Sequence, residues 1–402
     1  LTARVAITGI GIISPFGRGR DAALNALREG RSGIRNFTGI DTERLHCRIA
    51  GQVPDTQDDK HRGHDRFASF ALIAAEEAMA QAGNPDFDPL RFGVLLGTGL
   101  GGCETLDSSY RRFYAEKTRI APLSIPMIMY NAASSAVSSR FGAKGIAYSV
   151  VSACASSAHA IGLAAQAIRA GQADAMLAGG SDAPITPGII AAWESLRVLA
   201  IDNEHPEAAC RPFSADRRGL VLAEGSAVLV LESFDAATAR GAEILGEITG
   251  FGATSDAGHV TDPSTDGTSR AIRQALLDAH LAPRDVGYIN AHGTGTRTND
   301  ITETVAIKSV FGSDAPPASS TKSMHGHAMG ASGAIEIGAS LLALRDGFLP
   351  PTINLDRPDP ECDLDYVPNT PREARVEHFL SNSFGFGGMN AVVAVRVHHV
   401  LP

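Results

Sequence analysis

The chain has 402 residues, of which 44% are hydrophobic and 20% charged, which fits two domains or one large duplicated domain of a soluble enzyme. Its net charge of −9, with both signs mixed throughout, argues against nucleic acid as a partner. No apolar run reaches the ~18 residues of a membrane helix, and a strand pattern begins at Val5, so neither membrane span nor signal peptide is expected and a cytoplasmic location is.

Short β-branched or apolar runs alternate with alanine-rich stretches, the pattern of an α/β protein. In chain order, a strand is expected at Arg4–Thr8, then a polar surface loop at Asp55–Asp65 and a helix at Phe67–Ala82. Strands at Val94–Leu96 and Tyr148–Val151 lead to a helix at Ser156–Ala170. Strands follow at Ala175–Ala178, Ala227–Leu231 and Ile244–Ile248, with a helix at Ser269–Ala279. A strand at Val286–Asn290, helices at Ile301–Val310 and Ala331–Arg345, and a strand at Ala391–Val397 complete the set. The Ala331–Arg345 stretch is apolar or small on most faces and reads as a helix buried in a core. Residues 1–235 and 236–402 follow one plan without a sequence repeat, so the fold is expected to be duplicated, with the nucleophile in the first half and the histidines in the second.

Five cysteines, an odd number and widely spaced, never form a C-x-x-C pair, which disfavours disulfides and zinc. Cys154 stands apart because Val150-Val151-Ser152-Ala153-Cys154-Ala155-Ser156-Ser157 runs from a strand into a helix. Helix N-termini favour anions and can lower a thiol pKa, and the Cys154 N–H is placed for an oxyanion. A buried structural cysteine fits that segment equally well.

His292 sits in Asn290-Ala291-His292-Gly293-Thr294-Gly295-Thr296, at a strand's end. His327 closes Ser320-Thr321-Lys322-Ser323-Met324-His325-Gly326-His327 before a helix whose positive end favours neutral imidazole. Two neutral N–H donors suit a thioester carbonyl that gains charge as carbon dioxide leaves. Glu336, inside an apolar helix, needs a partner, and Lys322 is the expected one. Ser381–Asn390 reads as a glycine-rich turn before the last strand, with Phe384 and Phe386 near a pocket. Gly97-Thr98-Gly99-Leu100-Gly101-Gly102 has glycine spacing seen in dinucleotide sites but no helix start or acidic partner, and is set aside.

The blocks SACASS (152–157), NAHGTGT (290–296), STKSMHGH (320–327) and NSFGFGGMN (382–390) resemble the Cys-His-His β-ketoacyl-acyl carrier protein synthases, and similarity runs over the whole chain. The resemblance implies a thiolase fold, a five-layered αβαβα duplication, and a dimer. It implies that Cys154 is acylated, that the Cys154 and Phe384 N–H groups form an oxyanion hole, and that Phe384 gates the pocket. His292 and His327 would drive malonyl decarboxylation and condensation, supported by the Lys322–Glu336 pair. Thr294 and Thr296 would bind the phosphopantetheine of an acyl carrier protein, and Arg66 would meet that protein's acidic surface. No metal or separate cofactor is implied. Ser134 and Ser135 replace a common Ala-Gly, and Met389 a common threonine, so these residues and Phe386 are expected to shape the acyl pocket. The segment Ala192–Ala200 is closer to ketosynthases of bacterial polyene pathways, which pair with a chain-length factor. A non-catalytic chain-length factor would lack Cys154, and a coenzyme A-dependent thiolase would carry a second cysteine in the C-terminal motif.

Overall fold

The computed structural model describes residues 3–54 and 63–399. Ten strands form the path of the main sheet. The first five are β1 (Val5–Ser14), β2 (Phe92–Gly97), β3 (Ala147–Val150), β4 (Ala175–Asp182) and β5 (Gly225–Ser233). The second five are β6 (Gly246–Ser255), β7 (Tyr288–Asn290), β8 (Ala318–Ser319), β9 (His378–Gly385) and β10 (Met389–Val397). Their spatial order is β8-β7-β9-β10-β6-β1-β5-β4-β2-β3, so the first five and the second five appear as mirror sequences around the β6–β1 join. In each set, three parallel strands (β2–β4 and β7–β9) are followed by one antiparallel strand (β5 and β10) and then by a strand that turns back again (β1 and β6).

The helices repeat in the same way. Helix α1 (Arg66–Gln81) follows β1, α2 (Ala132–Phe141) follows β2, and α3 (Ser156–Arg169) follows β3. Helices α4 (Thr265–Asp278), α5 (Arg297–Phe311) and α6 (Ser332–Arg345) occupy the same places after β6, β7 and β8. The pair α1 and α2 covers one outer face, and α4 and α5 the other. Helices α3 and α6 pack on each other and touch strands of both sets. That is the expected αβαβα duplication, with both nucleophile-bearing and histidine-bearing turns at the starts of the two central helices.

Burial explains the sequence pattern. All of β1 is buried, and so are most residues of α6, Glu336 among them. One apolar cluster runs from Ile10 and Leu229 through Ala160 and Ala339 to Val393, so the halves share a core. Several expected elements are longer than predicted. Strand β1 continues to Ser14 because Gly9 and Gly11 let it lie directly on α1, whose Glu77 and Gln81 side chains accept the Ile12 and Ile10 N–H groups. The stretch read as a glycine-rich turn is largely strand: His378–Gly385 pairs along Met389–Val397, leaving only residues 386–388 to turn. Of the expected polar loop, residues 55–62 lie outside the described residues, and Asp65 is buried, capping α1 through the Phe67 N–H.

A Cβ on Gly11 would run into the carbonyl of Ala74. Replacing Gly11 with alanine should therefore cost about 1–3 kcal/mol, the usual range for overpacking. A lower urea midpoint at unchanged slope is the expected result; an unchanged midpoint would mean that β1 and α1 do not approach this closely.

Candidate active site

Strand β3 ends at Val150, and α3 starts only at Ser156. Between them Ala153 adopts φ 51°, a left-handed conformation that L-residues avoid unless the surroundings enforce it. The Ser156 hydroxyl enforces it here, accepting the Ser152 N–H at 2.9 Å and donating to the Ala153 carbonyl at 2.6 Å. The resulting elbow presents the Cys154 sulfur to the pocket. Opposite it runs Gly385, where a Cβ would sit 2.9 Å from the Ser152 carbonyl and 3.2 Å from the Cys154 nitrogen. Only glycine leaves that approach open.

This approach brings the Phe386 N–H to the Cys154 sulfur, where it joins the N–H of Cys154 itself. The expected second donor, Phe384, is instead a ladder residue of β9 opposite Asn390. Its ring packs on His292 at 5.9 Å between centroids. The strand extends two residues farther than the turn pattern suggested, which moves the free N–H from Phe384 to Phe386. The thiol also departs from expectation. Burial pushes Cys154 up to about 11, outweighing the Lys322 charge and the two N–H groups that pull the other way. The helix end begins two residues beyond the sulfur, and desolvation wins. The other four cysteines are buried and free, and Cys103 and Cys210 are pushed up to about 12 by burial.

His327 Nε2 lies 3.0 Å from the Cys154 sulfur, and its Nδ1 2.8 Å from the Ser332 hydroxyl. The backbone of His327 is held on both sides, donating to Val221 at 2.7 Å and accepting from Ala223 at 2.8 Å. His292 faces His327 edge-on at 5.5 Å. Both imidazoles are held well below the usual histidine range, first by burial and then by Lys322. They are neutral at pH 7, as expected, although burial and a nearby cation are the causes rather than the helix end. With the Ser332 hydroxyl donating to Nδ1, the assigned tautomer of His327 turns an N–H toward the sulfur.

Lys322 is fully buried, ion-paired to Glu336 at 2.5 Å, and donates to the His292 carbonyl at 2.6 Å. The expected pair is present and reaches the histidine through its backbone. Burial pushes Glu336 up to about 7 despite the lysine.

Three supports were not anticipated. Glu303 of α5 accepts the N–H groups of His292 and Gly293 at 2.8 Å each and the Asn382 amide at 3.0 Å, joining the histidine turn to β9. Asp300, one turn earlier, accepts the N–H groups of Phe213 and Gly295 and lies 3.2 Å from Arg217. Two acids three residues apart on a helix that must bury that face were the available signal. Asp182 accepts from the Thr98 hydroxyl and from the N–H groups of Gly99, Leu100 and Gly330. The glycine-rich run 97–102 is therefore folded around a carboxylate of this chain, which burial pushes up to about 6.

The sulfur opens on a cavity of ≈200 Å³ whose walls include His292, His327, Thr294, Thr296, Trp193 and Phe386. The structure thus brings the two threonines and Phe386 to the cavity. It does not bring Ser134, Ser135 or Met389 there: Ser134 is buried against Ser149 at 2.7 Å, and the other two are exposed on the surface. Arg66 is also placed differently. Its guanidinium makes a bidentate pair with buried Glu224, at 3.0 and 2.7 Å, and stacks over Phe70. Its partner Glu224 is buried, while the arginine itself stays part-exposed. Cys154, His292 and His327 offer ligand atoms within 4.8 Å of one another, a spacing a metal could use, but the adjacent Lys322 charge and inward N–H groups oppose a resident cation. Among the described residues no helix is long and apolar enough to cross a membrane.

Residues 2–237 match the model of the β-ketoacyl synthase N-terminal domain, and residues 245–356 that of its C-terminal domain. The chain belongs to the β-ketoacyl synthase family. It is 46% identical to nodulation protein E of Rhizobium sp. (strain N33), over 98% of this chain and 99% of that protein. It is 45% identical to 3-oxoacyl-[acyl-carrier-protein] synthase 2 of Synechocystis sp. (strain ATCC 27184 / PCC 6803 / Kazusa), over 98% of each. A solved ishigamide ketosynthase/chain length factor superposes with a TM-score of 0.94 at 36% identity, covering 99% of this chain and 100% of that one. The protein is an acyltransferase of the ketosynthase class with a thiolase fold, acting in fatty acid or polyketide biosynthesis.

The raised Glu336 carboxyl makes a pH prediction. Folding takes up a proton at Glu336 between about pH 4.5 and 7, so the stability it contributes is greatest below that window and falls as pH rises through it. Glu336→Gln should gain on the unsubstituted protein, by urea midpoint, between pH 5 and pH 8. A difference that stays constant across that range would show an ordinary carboxyl.

Proposed function

We propose that this chain carries an acyl group on Cys154 and condenses it with a malonyl unit delivered on an acyl carrier protein. The observation that carries the assignment is the buried triad of one thiol and two neutral imidazoles around a single cavity.

Loading exchanges one thioester for another. As the sulfur attacks the carbonyl carbon, the Phe386 and Cys154 N–H groups receive the oxyanion, and the carrier thiol leaves with the proton. The His327 Nε2–H, 3.0 Å from the sulfur, donates to it and steadies the charge it takes up as its proton departs. In the second half-reaction, malonyl thioester loses carbon dioxide and its carbonyl oxygen becomes an enolate oxygen. Two neutral N–H donors, from His292 and His327, stabilise that charge without needing protonation. The enolate carbon then attacks the acyl carbonyl and frees the sulfur. Lys322 holds the His292 backbone and, through its charge, keeps both rings neutral. Thr294 and Thr296, whose hydroxyls lie 2.9 Å apart on the cavity wall, bind the phosphopantetheine arm in this reading. No other cofactor is needed.

The same reading makes the protein a dimer, with a second copy or a chain-length-factor homologue. Strand β3 is the end of the sheet path, with Tyr148 exposed on it, and Phe113, Tyr114, Leu123, Ile125 and Met129 are exposed as well. An open strand edge beside that much apolar surface calls for a cover. Arg66, the cation expected to meet the carrier protein, is part-exposed and paired with Glu224.

Intact mass after incubation with acyl carrier protein thioesters tests the division of labour. Cys154→Ala should form no acyl adduct. His292→Ala and His327→Ala should load within about tenfold of the parent rate, and lose at least about a hundredfold in condensation. Equal loss of loading in all three variants would contradict these roles.

A further inference from the structure

Two strained turns face each other across the middle of the molecule. Ala153, one residue before the nucleophile, and Met329, two residues after His327, both sit at φ 51°. Residues with a Cβ keep that conformation only where their neighbours hold them in it. One carboxylate reaches both turns. Asp182, the last residue of β4, is fully buried. Its Oδ1 accepts the Thr98 hydroxyl at 2.7 Å and the Leu100 N–H at 3.2 Å. Its Oδ2 accepts the Gly99 N–H at 2.8 Å and the Gly330 N–H at 2.7 Å. Gly99 belongs to the first half of the chain and Gly330 to the second, so the halves converge on a single oxygen atom. From Thr98 the hold passes to the nucleophile. The Thr98 N–H donates to the Val150 carbonyl at 3.1 Å, and the Thr98 carbonyl lies 3.1 Å from the Ser156 hydroxyl that clasps the elbow. From Gly330 it passes to the histidine. The turn Met329–Ala331 runs directly into Ser332, whose hydroxyl is 2.8 Å from His327 Nδ1.

Close packing leaves the two turns no slack at this point. A Cβ on Gly330 would lie 2.5 Å from the Gly99 nitrogen and 2.7 Å from the Thr98 carbonyl carbon. An amide does not replace the carboxylate. Asparagine has one acceptor atom and an NH2 of its own, so in either orientation it turns donors toward the Leu100 N–H or toward those of Gly99 and Gly330, and one turn is released. We propose that Asp182 is the positioning residue that sets the register between Cys154 and His327. It is not one of the residues lining the cavity, and it acts on the reaction through the 3.0 Å contact between sulfur and imidazole. This inference rests on the acyl-enzyme reading above.

A double-mutant cycle on condensation tests this. The full-length parent, Asp182→Asn, His327→Ala and the double variant are loaded from the octanoyl thioester of a bacterial acyl carrier protein, then chased with the malonyl thioester. Product is counted per Cys154 adduct by intact mass, so protein that does not load drops out of the rate. A misplacement of about 1 Å costs on the order of a hundredfold. Asp182→Asn should therefore lower the condensation kcat roughly ten- to hundredfold, with the KM for the malonyl carrier within about twofold of the parent value. In the His327→Ala background the same substitution should cost less than about twofold, because the imidazole it positions is gone. Thr98→Val, which removes only the hydroxyl arm, should lose up to about tenfold, and Thr98→Ser should restore the rate. That pair carries the same cycle if Asp182→Asn does not fold. An equal factor lost in both backgrounds overturns the proposal, as does a parent-like kcat in Asp182→Asn. Absence of any adduct in the parent protein is a different failure, which sinks the acyl-enzyme reading itself.

Discussion

The 3.0 Å contact between His327 Nε2 and the Cys154 sulfur is the constraint on which this structure depends. The cysteine belongs to the first set of strands and the histidine to the second. Their meeting requires two central helices, α3 and α6, packed on each other and against both sets of strands, which share one core. Duplication supplies that geometry. The turns leading into α3 and α6 meet at one cavity, where Cys154 and His327 touch. Neither half holds a site alone.

Electrostatics follows from the same packing. A thiol, two imidazoles, a lysine and a glutamate are all buried within one region. Desolvation is the largest influence on each of the four shifted groups: it raises Cys154 and Glu336, and lowers His292 and His327. Lys322 reinforces the neutrality of the histidines and partly offsets the burial of the thiol. The site rests uncharged where charge will develop, with N–H groups of Phe386, Cys154 and the imidazoles already aimed there. That arrangement favours an oxyanion or enolate over a resting thiolate, because preorganised donors act most strongly where water is excluded.

The chemistry-bearing residues were legible in the sequence because glycine turns and strand-to-helix junctions mark where side chains meet a cleft. Cys154, His292, His327 and the Lys322–Glu336 pair all stood out, and the α/β class followed from alternation of short strands and alanine-rich helices, while the five-layered αβαβα arrangement came from the family resemblance. What stayed hidden depends on tertiary contact. Glu303 and Asp182 look like ordinary acids until their helix and strand are packed, and only then do they become the acceptors that hold the His292 turn and the 97–102 loop. Glycine misled in one place. Read as turn formers, the glycines of 385–388 concealed a strand that runs to Gly385 and shifted the oxyanion donor to Phe386. The Gly97–Gly102 run, set aside as a dinucleotide site, wraps around Asp182. Arg66 shows the converse: a basic residue at a helix start says nothing of whether a buried glutamate waits for it.

The central claim is that burial keeps the Cys154 thiol protonated in the resting enzyme, leaving activation to the moment of attack. Its most direct measurement is the rate of Cys154 alkylation by iodoacetamide between pH 6 and pH 11, followed by intact mass with Cys154→Ala as the blank. A thiol pushed up to about 11 predicts a rate that rises about tenfold per pH unit with no plateau below pH 10. A plateau reached near pH 7 would show a resting thiolate, and would contradict the account by making the helix end and Lys322 stronger than desolvation.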